Sequence, residues 1–143
     1  MSDATNHFDD DDGRYMAVTR DIRVLVSTQY LENQSEPSEG KFAWAYTIEI
    51  INEGNITVQL RERKWEITDA NGTVEQIHGE GVVGEKPTLN PGDAFEYTSG
   101  CPLSTDSGFM VGQYVMYTEG DEAFEVNIPA FALDIPHPRR TIN

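Results

Sequence analysis

The sequence predicts an all-β fold, an antiparallel β-sandwich of about seven to eight strands. Three observations predict it. Apolar residues alternate with period two in short runs. Gly-, Pro- and Asn-rich turns punctuate those runs at short intervals. No segment shows capped, helix-period apolarity over about ten or more residues. At 143 residues, the chain can bury a two-layer core without metal or disulfide staples.

The elements follow in order. Ile22, Val24 and Val26 share one face of a first strand, and the polar stretch Leu31–Gly40 is a loop. In "FAWAYTIEIIN", Phe42, Trp44, Tyr46, Ile48 and Ile50 project to one side, opposite Ala43, Ala45, Thr47 and Glu49. The next strand changes parity: Val58 and Leu60 are apolar in one phase, Trp65 and Ile67 in the other. A regular strand cannot bury all four on one face, so a bulge or a switch between sheets is expected within Arg61–Lys64. "DANG" (69–72) reads as a hairpin turn leading to Val74 and Ile77. "NPGD" (90–93) reads as a type II turn, with Pro91 presetting φ and Gly92 supplying positive φ. Phe95 and Tyr97 alternate with Ala94 and Glu96 in the strand that follows. Residues 109–117 are apolar on both faces, as suits an interior strand, while Pro129 marks an edge strand or the end of pairing. Trp44, Tyr46 and Trp65 are read as core.

Charge bounds the partners. There are 25 acidic and 10 basic residues, a net charge of −15. Such a chain repels phosphate backbones at long range, so nucleic acid is not an expected partner. Asp3 and Asp9–Asp12 crowd a start that reads as a solvated tail. No basic, apolar leader and no run near the ~20 residues of a membrane helix is present, so a cytoplasmic protein without membrane insertion is expected. Cys101 is the only cysteine, which excludes an internal disulfide and a multi-cysteine metal site.

The stretch Gly79-Glu80-Gly81-Val82-Val83-Gly84 matches G-x-G-x-x-G. A dinucleotide cradle needs a strand before this motif and a helix after it. Pro87, a turn and another strand follow instead. Glycines serving a bulge or strand crossing are therefore expected, with anion binding by backbone amides of Gly79, Gly81 and Gly84 and by Lys86 as the alternative. The basic cluster Arg61, Arg63 and Lys64 is either a solvated strand face or a contact for an acidic partner or phosphate. His78 and Glu80 lie two apart on one strand and are the candidate metal ligands, without a ligating signature around them; Asp134 and His137 are further donors. His7 and His137 fall in the expected tails. Cys101 has no adjacent base, so no catalytic residue and no cofactor site is assigned.

The segments "TQYLENQSEP", "FAWAYTIEIINEG", the block from Gln59 to Leu103, "GFMVGQYVM" and "FEVNIPAFAL" together resemble the ApaG (CorD) family. The resemblance covers about Val18 to Leu133, and its most specific part is Trp65–Pro102. It implies an immunoglobulin- or fibronectin III-like sandwich and a link to cobalt tolerance and magnesium efflux. It also implies an interaction module without an established reaction, and for the glycine stretch a phosphate or pyrophosphate ligand. Lys64 stands before the Trp where relatives often have His, so no role for that histidine transfers. The expected division is an acidic, disordered tail over 1–17, the ApaG domain over 18–134 and a C-terminal tail over 135–143. The expected function is a non-enzymatic protein- or ligand-binding module in divalent-cation homeostasis, with an unidentified protein partner. Phosphate, pyrophosphate or nucleotide binding by the Gly79–Gly84 loop, with weak hydrolysis, is the alternative.

Overall fold

A computed structural model describes residues 5–9 and 13–136. Its strands are β1 (Thr5–Asp9), β2 (Arg14–Thr19), β3 (Ile22–Tyr30), β4 (Phe42–Asn52), β5 (Val58–Asp69), β6 (Val74–Glu80), β7 (Thr88–Leu89), β8 (Ala94–Leu103), β9 (Gly108–Thr118) and β10 (Ala123–Leu133). Every pairing is antiparallel. One sheet has the order β1-β2-β3-β4-β8; the other runs β10-β9-β5-β6, with β7 joining β5 as well. The two open sheets pack face to face as the expected sandwich.

The core is made by the predicted alternation. Val24 and Val26 of β3 and Trp44, Ile48 and Ile50 of β4 meet Leu60, Trp65, Met110, Met116, Ile128 and Phe131 from the other sheet. Phe131 sits at its aromatic centre, its ring centroid 5.7 Å from that of Tyr46 and 5.8 Å from that of Trp65. The opposite face of β4 is only partly covered, and the Arg14–Glu49 ion pair at 2.9 Å crosses it.

The parity change in β5 is resolved at one residue. Leu60 pairs with Met116 and Glu62 with Val115, so Arg61 is an extra residue facing no partner on β9. This β-bulge reverses the facing of everything after it. Val58, Leu60, Trp65 and Ile67 are consequently all buried. Arg63, between the bulge and Trp65, takes the inward phase with them.

Three expectations need correction. Among the described residues ten strands form where about seven to eight were expected; the additional ones are β1, β2 and the two-residue β7. The tail expected over 1–17 contains β1 and most of β2, and Ala17 is fully buried. The β2–β3 turn escaped the sequence reading because its central residues, Arg20 and Asp21, hold φ of 48° and 65° without the usual Gly or Asn. Tyr15 of β2 packs on Phe131, and its hydroxyl accepts a hydrogen bond from the Ala132 N–H at 3.4 Å. At the other end Ile135 packs against the core and the Asp134 carbonyl accepts from the Trp44 indole at 2.8 Å. The remainder of the expected C-terminal tail, 137–143, lies outside the described residues, as does His137.

Candidate ligand pocket at the open sandwich edge

On one side of the sandwich the strands β6 and β8 both end their sheets, and the chain between β6 and β7 crosses the gap. This crossing is the glycine motif, and each glycine has a separate task. Gly79 lies opposite Arg63 in the β5–β6 ladder. A Cβ built on it would lie 2.8 Å from Cζ, Nη1 and Nη2 of Arg63 alike. Three equal distances mean that the guanidinium lies flat against Gly79. Gly81 has φ 65°, its N–H donates to the Arg61 carbonyl at 2.8 Å, and a Cβ there would collide with the Glu85 carbonyl. Gly84, at φ 81°, shares with Val83, at φ 43°, the centre of a two-residue turn. Reciprocal 2.8 Å backbone bonds between Val82 and Glu85 close it, as in a type I′ hairpin.

The amides of this loop are largely committed within the protein. Gly81 caps the bulge carbonyl of Arg61, while Val82 and Glu85 bond each other. Lys86 is held by Glu80 at 2.9 Å, and this ion pair draws the Glu80 carboxyl below its ordinary range. Of the expected anion-binding set, the Gly81 amide and Lys86 are thus engaged within the protein; the cation of the region without a carboxylate partner among the described residues is on β5 instead.

Arg63 is that cation. Its Nη1 donates to the Glu80 and Gly81 carbonyls, both at 2.9 Å. Among the described residues no carboxylate forms an ion pair with it. It lines a pocket of about 300 Å³ with Tyr46, Trp65, Glu80, Val82, Val83, Gly84, Tyr97 and Ser99. Hydroxyls gather on the inner wall. Tyr46 faces Ser99 across β4 and β8. The Tyr97 and Tyr114 hydroxyls lie 2.6 Å apart. Burial pushes all three phenols upward, so they remain neutral at physiological pH.

The basic cluster is thereby dispersed. Arg61 stacks on the Tyr117 ring at 4.1 Å. Lys64 points to the outer face, where Glu125, at 2.7 Å, holds its pKa up. Only Arg63 enters the pocket. His78 and Glu80 share a strand, but His78 bonds Glu62 at 2.7 Å and Glu80 bonds Lys86. Among the described residues no group of three or more His, Cys, Asp or Glu converges as a metal site. A larger groove of about 520 Å³ lies over Lys64, Glu66, His78 and Gln113 on the outer face. Its cationic and histidine groups are already paired. Burial pushes the Cys101 thiol up to about 11, with Glu75 adding to the shift, which leaves it a packed thiol at neutral pH.

Sequence reasoning missed Tyr97 and Ser99 as pocket-lining residues, and the buried Tyr114 as the partner of Tyr97. The available signal was that a tyrosine in a core strand needs a partner for its hydroxyl. Two on neighbouring apolar strands invite the question of whether they meet.

The profile of the ApaG domain matches residues 32–118, more than half of the chain. Protein ApaG of Brucella anthropi is 61% identical over 129 residues, covering 90% of this chain and 99% of that protein. Protein ApaG of Rhodospirillum centenum is 60% identical with the same coverage. The crystal structure of an ApaA protein from Bordetella pertussis superposes with a TM-score of 0.80 at 43% identity, covering 85% of this chain and 98% of that one. With both the sandwich and the sequence shared over nearly its full length, the chain belongs to the ApaG family.

Proposed function

We propose that this chain is a non-enzymatic binding module and that it influences divalent-cation homeostasis through what it binds. The observation that carries the reading is the edge pocket, where Arg63 is uncompensated by any described carboxylate and adjoins neutral hydroxyls. Such convergent polar groups at a concave edge serve recognition. The non-enzymatic reading is supported by the Tyr97 hydroxyl, whose partner is the Tyr114 hydroxyl rather than a general base. The cation link comes from the family resemblance. No helix among the described residues is long and apolar enough to cross a membrane, so the effect on cations runs through a partner rather than through conduction by such a helix.

The test is affinity capture from native extract, comparing the full chain with Val83→Lys, which places a charge on the pocket rim. Specific partners retained by the wild type and lost by the variant support the reading. Hydrolysis of pyrophosphate or nucleotide by the purified chain, abolished by pocket substitutions, overturns the non-enzymatic part. Saturable heat on titrating Co²⁺ into the chain alone overturns the indirect route.

A further inference from the structure

Val83 is placed against its own conformational preference. It is a β-branched residue at φ 43°, where branched side chains are sterically disfavoured. Strain in a core residue can be offset by burial, but Val83 is 55% exposed. The fold gains little from this side chain, since Asn or Gly would make the turn with less strain. What the side chain does provide is an apolar lip on the pocket that Arg63 lines.

Arg63 complements that lip. Its guanidinium is fixed by the flat face of Gly79 and by two carbonyls, so its orientation exists before a ligand arrives. A guanidinium matches a planar carboxylate through paired N–H bonds. Ser99 and Tyr46 add neutral hydroxyls beside it. The charge around the pocket limits the ligand to one unit of negative charge. Arg63 is the lone uncompensated cation lining it, Lys86 is engaged by Glu80, Glu85 adjoins Gly84 in the chain, and the whole protein carries −15. A trivalent pyrophosphate would meet more repulsion than attraction. A volume near 300 Å³ accommodates a ligand of roughly one ring.

We propose that the edge pocket binds a small monocarboxylate with an apolar body, the carboxylate on Arg63 and Ser99 and the apolar body against Val83. This rests on the reading of the pocket as the recognition site and names the class of ligand it takes.

Benzoate is the probe, with benzamide as its neutral counterpart and pyrophosphate as the multivalent anion, each titrated into the full chain and followed by NMR. Benzoate is expected to shift the Arg63 Nε–H, the Val83 methyls and the Ser99 amide along one saturable curve. Arg63→Gln is expected to weaken benzoate by about tenfold or more, the loss of a charge-assisted bond. Val83→Asn retains Arg63 and removes the lip, so it is expected to weaken benzoate by a few-fold while the protein stays folded. Equal binding of benzamide, tighter binding of pyrophosphate, or full benzoate affinity in both variants overturns the proposal. If benzoate does not bind while Val83→Lys still loses its captured partners, the carboxylate class fails and the binding-module reading stands. If capture also persists in Val83→Lys, both fail.

Discussion

The guanidinium of Arg63 lies flat on Gly79, 2.8 Å from where a side chain would begin. A cation at an inward-facing position is thus accommodated by the absence of one carbon on the neighbouring strand. The three motif glycines should therefore differ in how they tolerate alanine. Gly84→Ala meets open space and bears only the positive φ, so about 1 kcal/mol is expected. Gly79→Ala has no such backbone penalty but displaces Arg63 from its two carbonyls, at roughly 1–3 kcal/mol. Gly81→Ala combines positive φ with a backbone collision and should cost most, above about 3 kcal/mol. Urea unfolding of the three variants checks the order. A flat series would show that the glycines are interchangeable turn residues.

Val83→Asn is expected to stabilise the protein by about 1 kcal/mol, because Asn tolerates the left-handed conformation and little buried area is lost. The midpoint of thermal unfolding should rise by several degrees. A lower midpoint would mean that the exposed methyls contribute packing that the structure does not show.

The Tyr97–Tyr114 hydroxyl pair calls for a double-mutant cycle. Either single Phe substitution leaves one buried hydroxyl without its partner, costing roughly 1–3 kcal/mol. The double variant leaves none and should be less destabilised than the sum of the singles. Additive effects would mean that water satisfies the lone hydroxyl.

Stability should depend on pH at the alkaline end. Cys101 is raised from 9.0 to about 11, so its thiol stays protonated in the folded chain at pH values where the unfolded chain has lost the proton. The linked stability is fully present below about pH 9 and declines as pH rises towards 11, by roughly 2–3 kcal/mol. The raised tyrosines act in the same direction from about pH 10 upward, where their unfolded counterparts begin to lose the proton. Denaturant titrations from pH 7 to 11 measure the decline. Cys101→Ala should flatten its portion between pH 9 and 11, whatever its effect at pH 7.

Much of the fold was legible because period-two alternation directly encodes which face is buried. Trp44 through Ile50 and Val126 with Ile128 needed no tertiary information. The conflict between Leu60 and Trp65 even located a bulge to within a few residues. It could not say which residue was extra, and that choice decides whether Arg63 faces the core or solvent. The site was therefore much less legible than the fold. Its lining hydroxyls come from β4 and β8, and its cation looked like one member of a surface cluster until the bulge placed it. The β2 strand was missed for a local reason: its turn uses Arg20 and Asp21, residues that carry no turn signal.

The bulge at Arg61 has a further consequence. With that residue removed, Val58, Leu60, Arg63, Trp65 and Ile67 would alternate without interruption, and the ladder to β9 would run unbroken from Leu60–Met116 to Glu62–Val115. The core could be lined equally well by a straight strand. What Arg61 contributes is an offset in the path of β5, with a carbonyl for Gly81 to cap. The same edge of β5 can then carry β6 on one side of the bend and β7 on the other. Hydrophobic packing asks for the shorter strand; the longer one makes room for the pocket.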